Sequence, residues 1–406
     1  MAFVQTDVNY ASEYSRALAQ AYPYLSYFSA IWASENSNRY KPGMGKTMYI
    51  PTVTTSGAVD VNRNQITGTF NRNWNNQWQA VELQMDREWN TLVDPMDITE
   101  TGDVATIANI TRTFNELQKI PEMDAFLAAK LGSFVTTPDT TTLTAANILE
   151  KWDGYLAGMT DARVNRDRVE CYMTPAVYKL LKEAAGITRF VSTDEGFRGI
   201  DRNVARLDGV RITEVPSDIM KTAFVFDEGF VPAQTAKGIN LIMVDPMSVA
   251  APVKYETSMM SAPTAQSKGK YLYYERYYYG AFILNQRQAG VYAHLGAAPT
   301  IGTLTVTSVA GTEDNGDSAI SISGKGIFAD GEAAEGLAIY YTTGNNSATS
   351  CTYGAALPDG VTWVKADNGN FTLKSQTANK HITAALVNVQ LGAVVASGDT
   401  TLVVKA

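Results

Sequence analysis

Arginine stops at Arg287, and residues 288–406 contain none. A shift in composition that holds for the whole remainder of a chain marks two folding units. From Thr303 the tail reads as short β-rich runs, TLTVTSV, SAISIS, LAIYYTT, VTWV, NFTLK, ITAALVNV and TLVV, punctuated by NG, DG and GNN turn signals. Runs at this spacing predict a β-sandwich. Gly296 and Pro299 in GAAPT interrupt any regular element, so a hinge is expected at 296–300 and an all-β domain over 299–406. The length of 406 residues agrees with two domains.

The first 300 residues mix helical and strand periodicity without a repeated βαβ unit, which predicts an α+β body. Val8 to Ala33 is helical in composition but carries Pro23, so two short helices at an angle are expected, forming an arm. Residues 46–93 predict a long two-stranded excursion: Val81, Leu83 and Met85 alternate with Glu82, Gln84, Asp86 and Glu88. Its middle, NRNQITGTFNRNWNNQW, has too few apolar residues to pack a core and requires a neighbour to cover it. Trp74 and Trp78 are therefore candidate intersubunit contacts. From Thr99 a helix is predicted, with Val104, Ile107, Ile110, Phe114, Leu117 and Ile120 near one stripe and Pro121 kinking or restarting it. Ile148, Leu149, Trp152, Tyr155 and Leu156 predict an amphipathic helix. Thr174 and Pro175 open another, with Val177, Leu180, Leu181 and Ala184 inward and Gly186 closing it. RVECYMT, GVRITEV, TAFVFD and GINLIMV are predicted strands, and YLYYERYYYGAFIL closes the body.

Motifs for chemistry are sparse. GMGKT at 43–47 lacks the first glycine of a phosphate loop, since Tyr40 stands there, and a strand-like MYIPTV follows where a helix is required. GKGIFA at 324–329 lies in the all-β tail with no helix to receive a pyrophosphate. The two histidines, His294 and His381, read as structural, and no G-x-S-x-G occurs. Asp94, Asp97, Glu100 and Asp103 suit a helix dipole better than a cation. Arg198, Arg202 and Arg206 fall at i, i+4 and i+8, a basic stripe if the stretch is helical, and are candidate intersubunit contacts. The tyrosine run at 271–279 fits a central strand packed on both faces; Trp363, Tyr340 and Tyr341 read as sandwich aromatics. Cys171 and Cys351 fall in different predicted domains and predict no disulfide. The net charge of -8, from 33 Lys+Arg against 41 Asp+Glu, disfavours a protein held on phosphates. Apolar stretches such as Leu241 to Val244 fall far short of the roughly 20 residues that a bilayer demands. MAFVQTDVNYASEYS is not a secretory signal, so no membrane association and a cytoplasmic chain are expected. No enzyme, cofactor or metal is predicted.

The order of parts carries a resemblance. An aromatic arm, a hairpin ending in QMDREWNTLVDPMDITET, a helix ending in IPEMDAFLAAKL, mixed strands and helices, then GKYLYYERYYYGAFILNQRQAGVYAH together resemble the major capsid proteins of tailed bacteriophages, with the Hong Kong 97-type fold. The resemblance covers about residues 1–296 and implies an N-terminal arm over 1–40, an extended loop over 41–96, and a spine helix with peripheral and axial domains over 97–298. Within the last part it places 145–220 mostly in the peripheral domain, 222–260 in the axial domain and 270–296 in a returning strand. It implies a homo-oligomer of hexamers and pentamers in an icosahedral shell, a portal protein, DNA packed by confinement, and assembly in the host bacterial cytoplasm. No long coiled coil precedes the arm, which implies a separate scaffolding protein. The tail, 299–406, resembles Ig-like modules on phage structural proteins, facing outward or cementing neighbours. The alternative class is a surface or appendage adhesin whose Ig-like domain binds a glycan or protein.

Overall fold

The computed structural model describes residues 24–39, 47–58, 73–100, 106–184, 191–194, 197–200, 204–227, 229–297, 299, 301–334 and 336–406. They fall into two compact units. Of the described residues, one comprises those up to Thr222 together with Ile239–Gly296; the other joins Ala223–Gly238 to Ala297–Ala406. Most of the predicted arm, Gly186 and the hairpin tip lie outside the described residues.

The first unit is built on a five-stranded sheet in the order Val291–Leu295, Ile239–Val244, Glu170–Met173, Val210–Glu214, Arg206–Leu207. Glu170–Met173 runs parallel to Val210–Glu214 and antiparallel to Ile239–Val244. INLIMV is apolar almost throughout because its strand is covered on both faces. The helices Ile148–Asp161 and Pro175–Glu183 cover one face. They bring Trp152, Leu156, Met159, Val177 and Leu181 against Cys171, Met173, Leu241 and Met243. The resemblance implies that 270–296 returns to the peripheral part, 145–220. Val291–Leu295 shares one sheet with Glu170–Met173 and Val210–Glu214, and Ile239–Val244, from the stretch 222–260, lies between them in it.

The predicted spine is helical but not uniform. Pro95–Glu100 and Ile107–Phe114 are α-helical, Asn115–Lys119 widens into a π turn, and Ile120–Phe134 continues as α-helix. Pro121 supplies the reason. It has no N–H for the carbonyl four residues back and its ring crowds that carbonyl. The wider turn just before it, in which the Ile120 N–H donates to the Asn115 carbonyl five residues back, absorbs the misfit. The Ile120–Phe134 helix then buries Ala125, Phe126, Leu127, Ala128 and Leu131, and with them the charged Glu122 and Asp124.

Buried charges need partners. The Asp124 carboxylate accepts from Tyr24 Oη (3.0 Å), Ser26 Oγ (2.9 Å), the Tyr27 N–H (2.8 Å) and Trp32 Nε1 (3.2 Å). These donors all come from the described part of the arm, which also buries Phe28 against Tyr172 with ring centroids 4.5 Å apart. Glu122 accepts a two-pronged ion pair from Arg87 (2.8 and 3.0 Å) and a bond from Tyr279 Oη (3.0 Å). Lys119 pairs with Glu275 beneath the Tyr277 ring.

Arg87 and Tyr279 belong to a second sheet, in the order Val253–Ser261, Tyr271–Tyr279, Met85–Val93. The tyrosine run is thus its central strand. Here the hairpin expectation is corrected: 46–93 is not one two-stranded excursion. Thr47–Thr55 pairs with Trp74–Glu82, whereas Met85–Val93 pairs along its whole length with Tyr271–Tyr279. The exchange of partners falls at Leu83 and Gln84, where Leu83 is buried and Gln84 Oε1 accepts the Ala281 N–H at 3.2 Å.

The second unit is all-β where it comprises the tail. Seven strands run in the order Val364–Ala366, Leu337–Asn345, His381–Asn388, Ala393–Thr401, Gly302–Ala310, Ser318–Gly324, Asn370–Leu373. Gly302–Ala310 changes partner along its length: Gly302 and Thr303 lie parallel to Ala396 and Ser397, and Leu304 onward lies antiparallel to Ser318–Gly324. Gly398 permits that crossing, since a Cβ there would stand 2.0 Å from the Leu304 carbonyl oxygen. Leu304, Val306, Ile320, Ile322, Ile339, Ile382, Leu386 and Ala396 form the core between the two sets of strands. The final predicted strand, TLVV, is displaced: the strand is Ala393–Thr401, and from Leu402 the backbone bonds go to Lys380, Ser308 and Asp317 instead.

Replacing Asp124 with Ala strands its donors in a buried site, so urea unfolding followed by circular dichroism should show a loss of more than about 2 kcal/mol. A second prediction concerns acid. Burial opposes ionisation of Asp139, but bonds from Lys151, from Thr141 and from Tyr155 outweigh it and hold its carboxyl below the usual range. A depressed folded-state value contributes stability that is present above the ordinary value of about 3.9 and is lost as pH falls through the folded one. Burial pushes the Asp124 and Glu122 carboxyls the other way, so the wild-type slope is composite. The informative measurement is the difference between wild type and Asp139→Asn: the gap in unfolding free energy should narrow between about pH 5 and about pH 2.

Candidate functional site

Residues opposite one another in an antiparallel pair point to the same side. In the hairpin, Tyr49, Pro51, Val53 and Thr55 stand opposite Ala80, Trp78, Asn76 and Trp74, while Met48 and Ile50 stand opposite Val81 and Gln79. The second side is the anchored one. Met48 and Ile50 are buried in a cluster with Ala250, Phe282 and Leu284, against which Val81 also packs. The Gln79 side chain ties the same side down, donating from Nε2 to the Ile283 carbonyl at 2.9 Å and accepting the Asn285 N–H at 3.2 Å.

The first side presents an apolar surface to solvent. Tyr49 is 61% exposed, Val53 57%, Trp74 50% and Trp78 61%. Tryptophan and tyrosine at such exposure lose free energy in water and are the residue types that dominate protein interfaces. Trp74 and Trp78 fall on one exposed side of the hairpin. Sequence reasoning missed Tyr49 and Val53, their neighbours across the strand pair. The clue lay in MYIPTV: Pro51 has no N–H to give, which suits a strand with one unpaired edge.

The arginine expectation is corrected. Arg198 lies in the strand Phe197–Ile200, paired with Val191–Asp194, and Arg206 lies in the strand Arg206–Leu207, opposite Arg211. Arg202 lies outside the described residues. The i, i+4, i+8 spacing therefore makes no helical stripe, since the backbone on both sides of position 202 is extended. Arg206 and Arg211 are exposed beside Glu170, whose carboxyl burial pushes up while the two arginines pull it down, the net shift being upward.

His294 is fully buried; its Nδ1 lies 3.0 Å from Asn240 Nδ2 and its Nε2 4.0 Å from Asp139. Burial lowers its pKa and favours the neutral ring. His381 Nδ1 lies 3.6 Å from Asp399 Oδ2. Cys171 is buried and its thiol is pushed up by that burial. Asp94 accepts the Met96 N–H at 3.0 Å and faces Lys270 at 3.7 Å, in keeping with a helix-start acid; Asp103 lies outside the described residues. Among the described residues, Glu313, Asp314 and Asp317 gather three carboxylates, and the Lys374 ammonium sits among them.

No family model and no curated protein matches the chain. The α+β fold of the chain is like that of phage capsid structures, in line with the Hong Kong 97-type fold. The capsid structure of the cyanophage P-SCSP1u is similar to this chain with a TM-score of 0.53, at 11% identity, over 71% of this chain and 93% of that one. Mycobacterium phage Che8 (TM-score 0.49, 15% identity, 71% and 98% covered) and the asymmetric unit of the bacteriophage PhiM1 mature capsid (0.48, 12%, 72% and 92%) lie further off.

The two sides of the hairpin should respond differently to substitution. Ile50→Ala removes buried methyl groups and should lower unfolding free energy by about 2–4 kcal/mol. Trp78→Ser, on the exposed side, should leave it within about 0.5 kcal/mol, measured by the same denaturant titration.

Proposed function

We propose that the protein is a major capsid protein that self-assembles, as hexamers and pentamers, into the icosahedral head of a tailed phage enclosing double-stranded DNA. The observation that carries this reading is the hairpin: its inner side is locked to a Hong Kong 97-type body while Tyr49, Val53, Trp74 and Trp78 are offered outward. A second copy of the chain is the partner that would cover such a surface in a closed lattice. Arg206, beside Arg211, is a further candidate for intersubunit contact, as are Arg198 and Arg202.

The role is structural, with no chemical step and no cofactor. With a net charge of -8, the packaged genome is held by confinement, not by attraction to a basic lining. Assembly uses a separate scaffolding protein and a portal, takes place in the host bacterial cytoplasm, and leaves the protein in the virion capsid. The C-terminal strands form an Ig-like module that contributes surface contacts more than lattice contacts.

Negative-stain microscopy of the expressed chain, with and without a co-expressed scaffold, tests the reading: closed shells or capsomer rings are expected, and a monodisperse monomer under both conditions contradicts it. The double variant Trp74→Ser/Trp78→Ser should keep the monomer's circular dichroism and reduce shell yield about tenfold or more, as loss of interface aromatics does.

A further inference from the structure

Ala223–Gly238 lies in sequence between Val210–Glu214 and Ile239–Val244, two strands of the five-stranded sheet, yet it belongs to the same compact unit as the tail. The segment has a shape of its own. Phe224–Val225 pairs with Val231–Pro232, the Ala233 N–H closes the pair on the Ala223 carbonyl at 3.0 Å, and the Phe224 ring lies 6.0 Å from both Phe226 and Phe230. Just beyond, Gln234 Nε2 donates to Tyr353 Oη at 2.8 Å.

Next to Tyr353 stands Gly354, and two constraints meet there. Its φ is +75°, and a Cβ would stand 2.1 Å from Thr235 Cγ2. The residue is glycine both because the turn is left-handed and because Thr235 occupies the space a side chain needs. The turn that carries it is rigid: the Gly354 N–H donates to the Val394 carbonyl at 2.8 Å and the Val394 N–H to the Ala355 carbonyl at 2.8 Å. Cys351 and Leu357, on either side, pack against Ala385, Val387 and Val394. The seat is therefore part of the tail's own framework.

We infer that Ala223–Gly238 is a clasp that engages the Tyr353–Gly354 turn, so that the C-terminal β unit is a composite of two chain segments. Among the described residues, the unit is then joined to the rest of the chain at three peptide crossings, Thr222/Ala223, Gly238/Ile239 and Gly296/Ala297. The single hinge expected at 296–300 is only one of them. Because the clasp and its seat share one chain, their contact forms at a high effective concentration, and two small contacts suffice to keep it closed.

Amide hydrogen exchange on the full chain tests this. Gly354→Val forces a side chain into Thr235 and should speed exchange across Ala223–Gly238 about tenfold or more, leaving Ile382–Leu386 unchanged. Tyr353→Phe keeps the fold, removes only the bond to Gln234, and should speed the same segment about threefold. If Gly354→Val instead loosens the whole unit, Tyr353→Phe decides together with Gln234→Ala: a double variant no faster than either single one supports the clasp, and multiplying effects overturn it. Exchange in Ala223–Gly238 that is unchanged in Tyr353→Phe and Gly354→Val also overturns it.

Discussion

The described arm depends on one carboxylate. Residues 24–37 contain too little chain to form a core, and what places them is Asp124, buried in the Ile120–Phe134 helix and ringed by a tyrosine hydroxyl, a serine hydroxyl, an indole N–H and a backbone N–H. An ionised carboxylate taken out of water is costly unless its oxygens are filled, and the arm is the element that fills them. Once Tyr27 and Trp32 are positioned, Phe28 and Ile31 become fully buried, and Ser37 lies where its hydroxyl accepts the Ala251 N–H at 2.9 Å. The polar contact fixes the position of the arm and the apolar ones supply most of the free energy.

The same helix manages its other charges by facing them to the tyrosine strand. Lys119 meets Glu275, and Glu122 meets Arg87 and Tyr279, so charged pairs bridge the helix to the central and edge strands of the three-stranded sheet. Such pairs specify more than they stabilise, because removing one member leaves a buried charge alone. Aromatic packing supplies the complement: Trp89 stacks on Phe114 with centroids 4.1 Å apart and planes 7° from parallel. With its base held in this way, the hairpin can carry exposed tryptophans without being pulled inward over them.

What was legible in the sequence followed from periodicity, and what was not followed from partners distant in the chain. Trp152, Leu156, Val177 and Leu181 fall where a 3.6-residue repeat puts them, and five of the tail's first six strand runs are strands, whereas of VTWV only Val364 is, at the start of Val364–Ala366. The alternation from Val81 to Glu88 is present, but nothing local tells that pairing changes at Leu83 and Gln84, since the new partner lies almost two hundred residues away. The arginine spacing is a helical number carried by extended chain, and spacing alone cannot exclude that. TLVV has stronger β composition than AVVASGDTT, yet the latter forms the strand because Gly398 lets Gly302–Ala310 cross beside it. At the hairpin the two tryptophans were conspicuous, whereas Tyr49 and Val53 were hidden among apolar residues of which every second one is core.

The π turn at Asn115–Lys119 bears on which lengths of this chain are allowed. A π turn is an α-helix with one residue too many, and each residue turns a helix by about 100°. The wider turn takes up that residue locally, so the face on which Glu122 meets the sheet and the face on which Asp124 meets the arm keep their phase with the helix before it. Deleting a single residue between 115 and 119 would restore regular α-geometry and leave both carboxylates on those faces, whereas a deletion within Ile120–Phe134 would rotate everything after it by about 100°. The π turn is therefore the place in this helix where related chains can differ in length by one residue.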